Sequence, residues 1–300
     1  MKRATFTLCL IVLLLPSLVF APPQPPPIAG LHFVRFYAAD VALSTKFYRQ
    51  TLKLNELSSG CSNLVFACFR VNDFQQIEIT NTNPPDTANL ILALGLYTKD
   101  AASLREYLLS RGLNPAPLQS TKFGVPWFEI FDPERHLLVF HSSSIVLSSI
   151  LGEIAPAADR IIHAGFVVHD REAEDKFYKD ILGFHVYWHG GMKEGEDNWV
   201  DMQVPDGTDW IEYMLRVPEN ASHKTLGVMN HIALGVPDIH KAQEQLIKNG
   251  WKGTEEPKIG RDGKWQLNLY DPDETRVELM EFTPTKDPCC APYTGPHPHP

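Results

Sequence analysis

Two periodicities alternate along the chain. Stretches with apolar residues at every second position, such as IIHAGFVV (161–168), WIEYML (210–215), HIALGV (231–236) and RVELMEF (276–282), have the period of strands. REAEDKFYKDIL (171–182) and DIHKAQEQLIKN (238–249) instead space their apolar residues three and four apart, as one face of a helix does. Each helical stretch follows an Asp suited to capping, Asp170 or Asp238, and stops at a Gly next to an aromatic residue, Gly183-Phe184 or Gly250-Trp251. Alternating segments separated by turn residues come next: HVYWH, NWVDMQV and DWIEYML after the first helix, then KWQLNLY and TRVELMEF about the turn DPDE after the second. Each quarter of the chain therefore predicts a strand, a helix and three strands.

The quarters repeat. Segment 41–54 resembles 171–184, with Phe47-Tyr48 matching Phe177-Tyr178; LALGL at 92–96 matches IALGV at 232–236; Asp132-Pro133 matches Asp271-Pro272. The second half carries about ten extra residues, placed around Gly190–Asn198. One quarter cannot cover the apolar face of its own sheet, whereas two packed together share a curved, open barrel-like sheet of eight strands with the helices outside. The expected fold class is α+β, in two such domains, 31–147 and 159–283, split near Ser148–Ala158. The cleft between paired modules is the natural place for a ligand.

The ends differ from the middle. Lys2 and Arg3, an apolar run from Leu8 to Phe20, and small residues at Val19 and Ala21 read as a secretory signal over 1–21, and so as export to a periplasmic or extracellular space. Pro22 directly after the cut leaves a cut nearer Ala29, or an uncleaved anchor, open. Residues 22–30 form a Pro-rich linker, and 284–300, with six prolines, are expected to be disordered. A net charge of −9 without basic runs argues against nucleic acid and anionic membrane as partners, leaving a small molecule. Monomer and homodimer both stay open. Cys61 and Cys68, and the vicinal Cys289-Cys290, are read as ordinary small residues or one optional bridge, and His297 and His299 as tail residues. Asn220-Ala-Ser222 is a glycosylation sequon, relevant only to a eukaryotic secretory route.

Alternation along the first and last strands of the second-half modules singles out four residues. His163, Glu212, His231 and Glu278 each lie on the face opposite the helix-packing set Ile162, Ala164, Phe166, Val168, Ile211, Tyr213, Ile232, Leu234, Val277 and Leu279. A Gly or Ala beside each histidine leaves room. Two imidazoles and two carboxylates in one cleft suit one divalent ion of Fe, Mn, Co, Ni or Zn, because buried carboxylates are costly unless paired or metal-bound. Weaker candidates for cleft contacts are His185, Tyr187 and His189, then Trp199, Asp201 and Gln203; Arg276 is expected to pair with Asp273 or Glu274, and His169 and His240 to be surface residues at helix starts.

The segments HAGFVVHD, WIEYM, NHIALGVPD and DPDETRVELMEF resemble the vicinal oxygen chelate superfamily, which includes glyoxalase I, bleomycin-binding resistance proteins, fosfomycin-resistance enzymes and extradiol dioxygenases. The resemblance implies paired strand-helix-strand-strand-strand modules and, in the glyoxalase I branch, metal ligands at His163, Glu212, His231 and Glu278. It implies isomerase or lyase chemistry on a substrate with adjacent oxygens, Glu278 or Glu212 acting as the base and Glu278 the better match. The first half places Phe33 at the position of His163, Glu78 at Glu212, Ile91 at His231 and Val139 at Glu278, so it is expected to bind no metal; His32, one residue out of register, is expected on the opposite face. A degenerate leading domain beside a loaded trailing one resembles the two-domain extradiol dioxygenases, whose iron(II) ligands would be His163, His231 and Glu278. Gly260–Lys264 and Asn268 depart from the His and Tyr of that branch, Tyr270 lies nearer the turn, and Glu212 would be surplus. A non-catalytic binding protein is the third reading, against which four intact donors count.

Overall fold

The computed structural model describes residues 25–57, 65–82, 90–142 and 160–300. The expected signal, Cys61 and the junction Ser148–Ala158 lie outside the described residues. The leading half runs β1 (Ile28–Tyr37), α1 (Val41–Lys46), β2 (Asn55–Glu56), β3 (Ala67–Arg70), β4 (Gln76–Thr80), β5 (Ile91–Thr98), α2 (Ala101–Ser110), β6 (Gln119–Ser120), β7 (Pro126–Phe131) and β8 (Leu137–Ser142). The trailing half runs β9 (Arg160–Val167), α3 (Arg171–Asp175), β10 (His185–Gly190), β11 (Trp199–Gln203), β12 (Trp210–Met214), α4 (His223–Met229), β13 (His231–Val236), α5 (Ile239–Lys248), β14 (Lys258–Ile259), β15 (Trp265–Tyr270) and β16 (Arg276–Glu281).

The two eight-stranded sheets have the same order, β2-β3-β4-β1-β5-β8-β7-β6 and β10-β11-β12-β9-β13-β16-β15-β14. The first strands of paired modules meet antiparallel at the centre, β1 on β5 and β9 on β13. Each is flanked in parallel by the last strand of its own module. That order brings first-strand and last-strand side chains to one point. Asp170 and Asp238 cap their helices as the sequence predicts, and Asp40 and Asp100 do the same in the leading half; each accepts from backbone amides of the first turn. In α5, Ile239, Ala242 and Leu246 form the buried stripe. Helices α1 and α3 run on into π-helical stretches, Phe47–Thr51 and Lys176–Ile181. Helix α4, which the periodicities do not predict, is capped by Ser222, the third residue of the sequon.

One apolar cluster runs through both halves, from Phe36, Leu104 and Phe128 to Phe166, Tyr178 and Leu279. Between the halves, Gln75 accepts from the Ile161 amide at 2.8 Å and donates to the Ile161 carbonyl at 2.9 Å. Asp209 accepts from the Leu31 amide at 2.9 Å and from Arg160 at 2.8 Å. Buried backbone groups at the joint are thereby satisfied by side chains of the opposite half.

Three expectations are corrected. The tail 284–300 is not disordered: Cys289 and Cys290 are bonded to each other, Tyr293 donates to the Asp262 carbonyl at 2.7 Å, the Thr294 amide donates to Tyr187, Gln203 reaches the Pro296 carbonyl at 2.9 Å, and His297 meets the Tyr187 hydroxyl. Prolines keep the tail out of any ladder, and its aromatic anchors carry no periodic signal. Secondly, β9 breaks register opposite Ala233 and Leu234, so Ile162 packs with Tyr187 and Trp210, not with the helix-side cluster. The same break in β1 turns His32 beside Phe33, where both rings touch His141. Thirdly, the pairing Arg35↔Ala93 answers Gly165↔His231, so Ala93, not Ile91, matches His231.

Candidate metal centre

His163 and His231 stand on the two central strands of the trailing sheet, and Glu212 and Glu278 on the strands that flank them. Gly165 lies between Glu212 and His231 in the pairing, and Ala233 between His163 and Glu278. A Cβ at Gly165 would run into the His231 ring, so close approach demands the glycine.

His163 Nε2 is 3.0 Å from His231 Nε2. Glu212 Oε2 is 3.0 Å from His231 Nε2 and 3.6 Å from His163 Nε2, and Glu278 Oε2 is 3.9 Å from His231 Nε2. Ligand atoms of His163, His231 and Glu278 all fall within 4.8 Å of one another. Both histidines and Glu278 are buried.

The protonation of this group follows from its surroundings. His231 Nδ1 lies 2.9 Å from the Met229 carbonyl, which only accepts, so Nδ1 carries the proton and the Nε2 lone pair faces the cluster. Burial holds both imidazoles well below their ordinary range. Burial pushes Glu278 up to about 7, with Arg276 pulling it down and Glu212 pushing it further up. Neutral His163 can offer His231 a single proton from Nε2, which leaves Glu212 Oε2 facing a lone pair at 3.0 Å. Four such donors can be satisfied together by a divalent cation.

Beside them the structure places a lysine that the sequence singles out only as a departure from the dioxygenase pattern. The Lys264 side chain is fully buried, its Nζ 4.5 Å from the Trp210 ring centre and 5.2 and 5.3 Å from those of Tyr187 and Tyr293. Burial pulls its amine down to about 8 against the opposing charges of Asp262, Asp201 and Glu278. The available signal was the alternation Lys264, Gln266, Asn268, with Asn268 opposite Glu278.

The weaker candidates scatter. Asp201 pairs in register with Glu212, and burial, then Glu212, pushes its carboxyl well up. His185 meets Gln203 at 3.1 Å, while Tyr187 and Gln203 are engaged by the tail. Trp199 packs against the Tyr187–Trp210 cluster. His189 bonds Asp197 at 2.8 Å and lines an open cavity of about 850 Å³ to which none of the four central donors contributes. Arg276 stands 4.0 Å from Glu278 and not, as expected, on Asp273 or Glu274. His169 binds Glu134 of the other half, and His240 lies edge-on to Trp265.

The leading sheet shows a different solution at the same place. Phe33, Ala93 and Val139 form a small apolar cluster, and the remaining carboxylate, Glu78, accepts from Arg35 at 2.8 Å and Gln76 at 2.7 Å. Arg35 occupies the position where Gly165 clears space for His231. A guanidinium of the chain neutralises the carboxylate.

Residues 160–279 match the family described as Glyoxalase/Bleomycin resistance protein/Dioxygenase superfamily. A probable chloroplastic lactoylglutathione lyase of Arabidopsis thaliana is 24% identical over 200 residues, 61% of this chain and 55% of that protein, so the chain spans about half the length of that relative. The lactoylglutathione lyase of Haemophilus influenzae is 27% identical over 129 residues, 42% of this chain and 96% of that protein. An extradiol ring-cleaving dioxygenase from Brevibacterium fuscum superposes with a TM-score of 0.64 at 18% identity, covering 91% of this chain and 77% of that one. A halotolerant catechol dioxygenase gives 0.63 at 17%, covering 89% and 91%. At these identities the structures share the tandem fold. The family match therefore falls on residues 160–279, the part of the chain that carries the four convergent donors.

Proposed function

We propose that the protein is a divalent-metal-dependent enzyme of isomerase or lyase type, acting on a small molecule with two adjacent oxygens. His163, Glu212, His231 and Glu278 would hold the ion. The observation that carries this reading is the position of Glu212, a second carboxylate 3.0 Å from the Nε2 of a histidine whose tautomer is set by Met229. The relatives named lactoylglutathione lyases support the same chemistry.

The ion would supply Lewis acidity, drawing electrons from two substrate oxygens. Glu278 would take a proton from the neighbouring carbon and return it one carbon away. It is the less closely held of the two carboxylates, its oxygen 3.9 Å from His231 Nε2 against 3.0 Å for Glu212, and so the freer to act as a base. Met229 and the strand register hold the imidazoles still; Trp210, Tyr187 and the tail exclude water from one side.

The alternative is an extradiol, ring-cleaving dioxygenase using His163, His231 and Glu278, favoured by the pairing of one donor-bearing cleft with one closed by Arg35. Glu212 in the cluster, with Asn268 across from Glu278 and Lys264 buried within the field of Glu278, weighs against it. Titrating the untagged protein with nickel, cobalt, zinc, manganese and iron(II), followed by isomerase assays on thiol–oxoaldehyde adducts and oxygen uptake on catechols, separates the readings. Metal-dependent isomerisation without oxygen uptake supports the proposal. Iron-dependent oxygen uptake replaces it with the dioxygenase, and absence of stoichiometric metal in the cleft makes the protein a binder. The proposal includes export on the strength of residues 1–21, which N-terminal sequencing of secreted material tests.

A further inference from the structure

A second group of potential ligands lies away from the cleft, on the boundary between the two halves. Asp132 and His136 come from the turn between β7 and β8, and Glu174 from α3. One ligand atom from each falls within 4.8 Å of the others. His136 Nδ1 is 2.7 Å from Asp132 Oδ2, which also accepts from Tyr178 at 3.1 Å, and the imidazole packs against the Phe166 ring at 4.2 Å between centres. Each donor is thus held by a neighbour, as ligands of a built site are.

Glu174 is the unexpected member. Its exposure is 0%. Oε1 accepts from the Glu134 amide at 2.9 Å, while Oε2 is buried with no hydrogen-bond partner. A buried oxygen without a donor, beside a second carboxylate, is a costly arrangement unless something positive joins it.

The duplication supplies a control within the same molecule. The related corner places Ser44 where Glu174 stands, Tyr48 at Tyr178, Asp271 at Asp132 and Thr275 at His136. There Tyr48 donates to Asp271, Ser44 donates to Asp273, and the Thr275 amide donates to Asp271. The architecture therefore closes with a serine and a threonine, and packing alone does not call for an imidazole and a carboxylate.

We propose that Asp132, His136 and Glu174 form a second divalent-cation site, one that links the two domains and is independent of the cleft. One imidazole and two carboxylates suit a borderline ion such as zinc or manganese. Ligands from both halves make the ion a clamp, so binding favours the docked arrangement.

The test uses the untagged full-length chain with His231→Ala, which removes a proposed cleft ligand, and zinc alone as the probe. Calorimetry should show one remaining equivalent of zinc, lost when His136→Thr and Glu174→Ser import the residues of the related corner. Retention of that equivalent in the folded triple variant, checked by circular dichroism, overturns the site, as does absence of zinc binding in His231→Ala. Should the triple variant fail to fold, Glu174→Gln in the His231→Ala background decides, because it keeps the acceptor for Glu134. A loss of affinity of tenfold or more supports the site, and a smaller loss overturns it. Failure of the cleft reading looks different: wild type would bind one equivalent, insensitive to His231→Ala and removed by Glu174→Ser.

Discussion

Tyr178 of the trailing half donates its hydroxyl to Asp132 of the leading half at 3.1 Å, and the relationship is reciprocated by Tyr48 and Asp271 at 3.3 Å. Both tyrosines sit on a π-helical stretch and both aspartates open the turn before the last strand, so the repeat in the sequence becomes a repeat of contacts across the domain boundary. All four groups are buried.

Tyr178→Phe and Tyr48→Phe should each cost about 1–2 kcal/mol in equilibrium denaturation, because each removes the donor to a buried carboxylate while leaving the ring in place. The two losses should add within about 0.5 kcal/mol. A negligible effect of both would show that the hydroxyls do not hold the halves together.

His231→Ala should remove the ion from the cleft, whereas His32→Ala should leave metal content unchanged, since His32 is surrounded by Phe33, Tyr97 and His141 with no carboxylate among them. Metal analysis after dialysis checks this. Equal losses would mean that the wrong domain has been assigned the ion.

Glu278→Gln should lower kcat by about a hundredfold or more while retaining the bound ion, as expected for loss of a positioned base. Glu212→Gln should instead show its larger effect on metal affinity. An exchange of these two phenotypes would move the base to Glu212.

Arg35→Met should destabilise the leading domain by about 3 kcal/mol, because it leaves Glu78 buried and unneutralised. Adding Glu78→Gln should recover most of that loss. Chemical denaturation of the single and double variants reads the coupling, and simple additivity would remove the argument that the pair replaces an ion.

Asp271 yields a pH dependence. Burial raises its carboxyl from 3.8 to about 7, so the folded state holds the proton more tightly than the unfolded chain does. Its contribution is therefore complete below about pH 4 and is lost as pH rises through 7. Thermal melts between pH 4 and 8 should fall less steeply for Asp271→Asn than for wild type; parallel curves would refute the assignment.

Much of the architecture was legible because the repeat is carried by residues with separate local jobs: capping aspartates, helix-ending glycines, and strands alternating to one face. The convergence of His163, Glu212, His231 and Glu278 could be read from alternation because all four belong to strands without a break at the ligand itself. Legibility ended where register broke. The irregularity at Ile162 and His32 reverses a side chain without changing composition, and the offset of LALGL against IALGV concealed that Ala93 is the partner of His231. Nothing in the local pattern around Arg35 announces its pairing with Glu78, because the two lie on different strands. The tail was opaque for another reason: its order comes from Tyr293 and His297 seated on distant side chains, and no local pattern encodes that.

The guanidinium closing the leading cleft makes the two lobes unequal in what they need from their surroundings. Glu78 owns its counter-charge by covalent connection, so no chelator, competing ion or scarcity can take it away. Whatever becomes of the donors in the trailing lobe, its neighbour stays neutralised and packed, and so can serve as a permanent brace for the half that has to trade with solution.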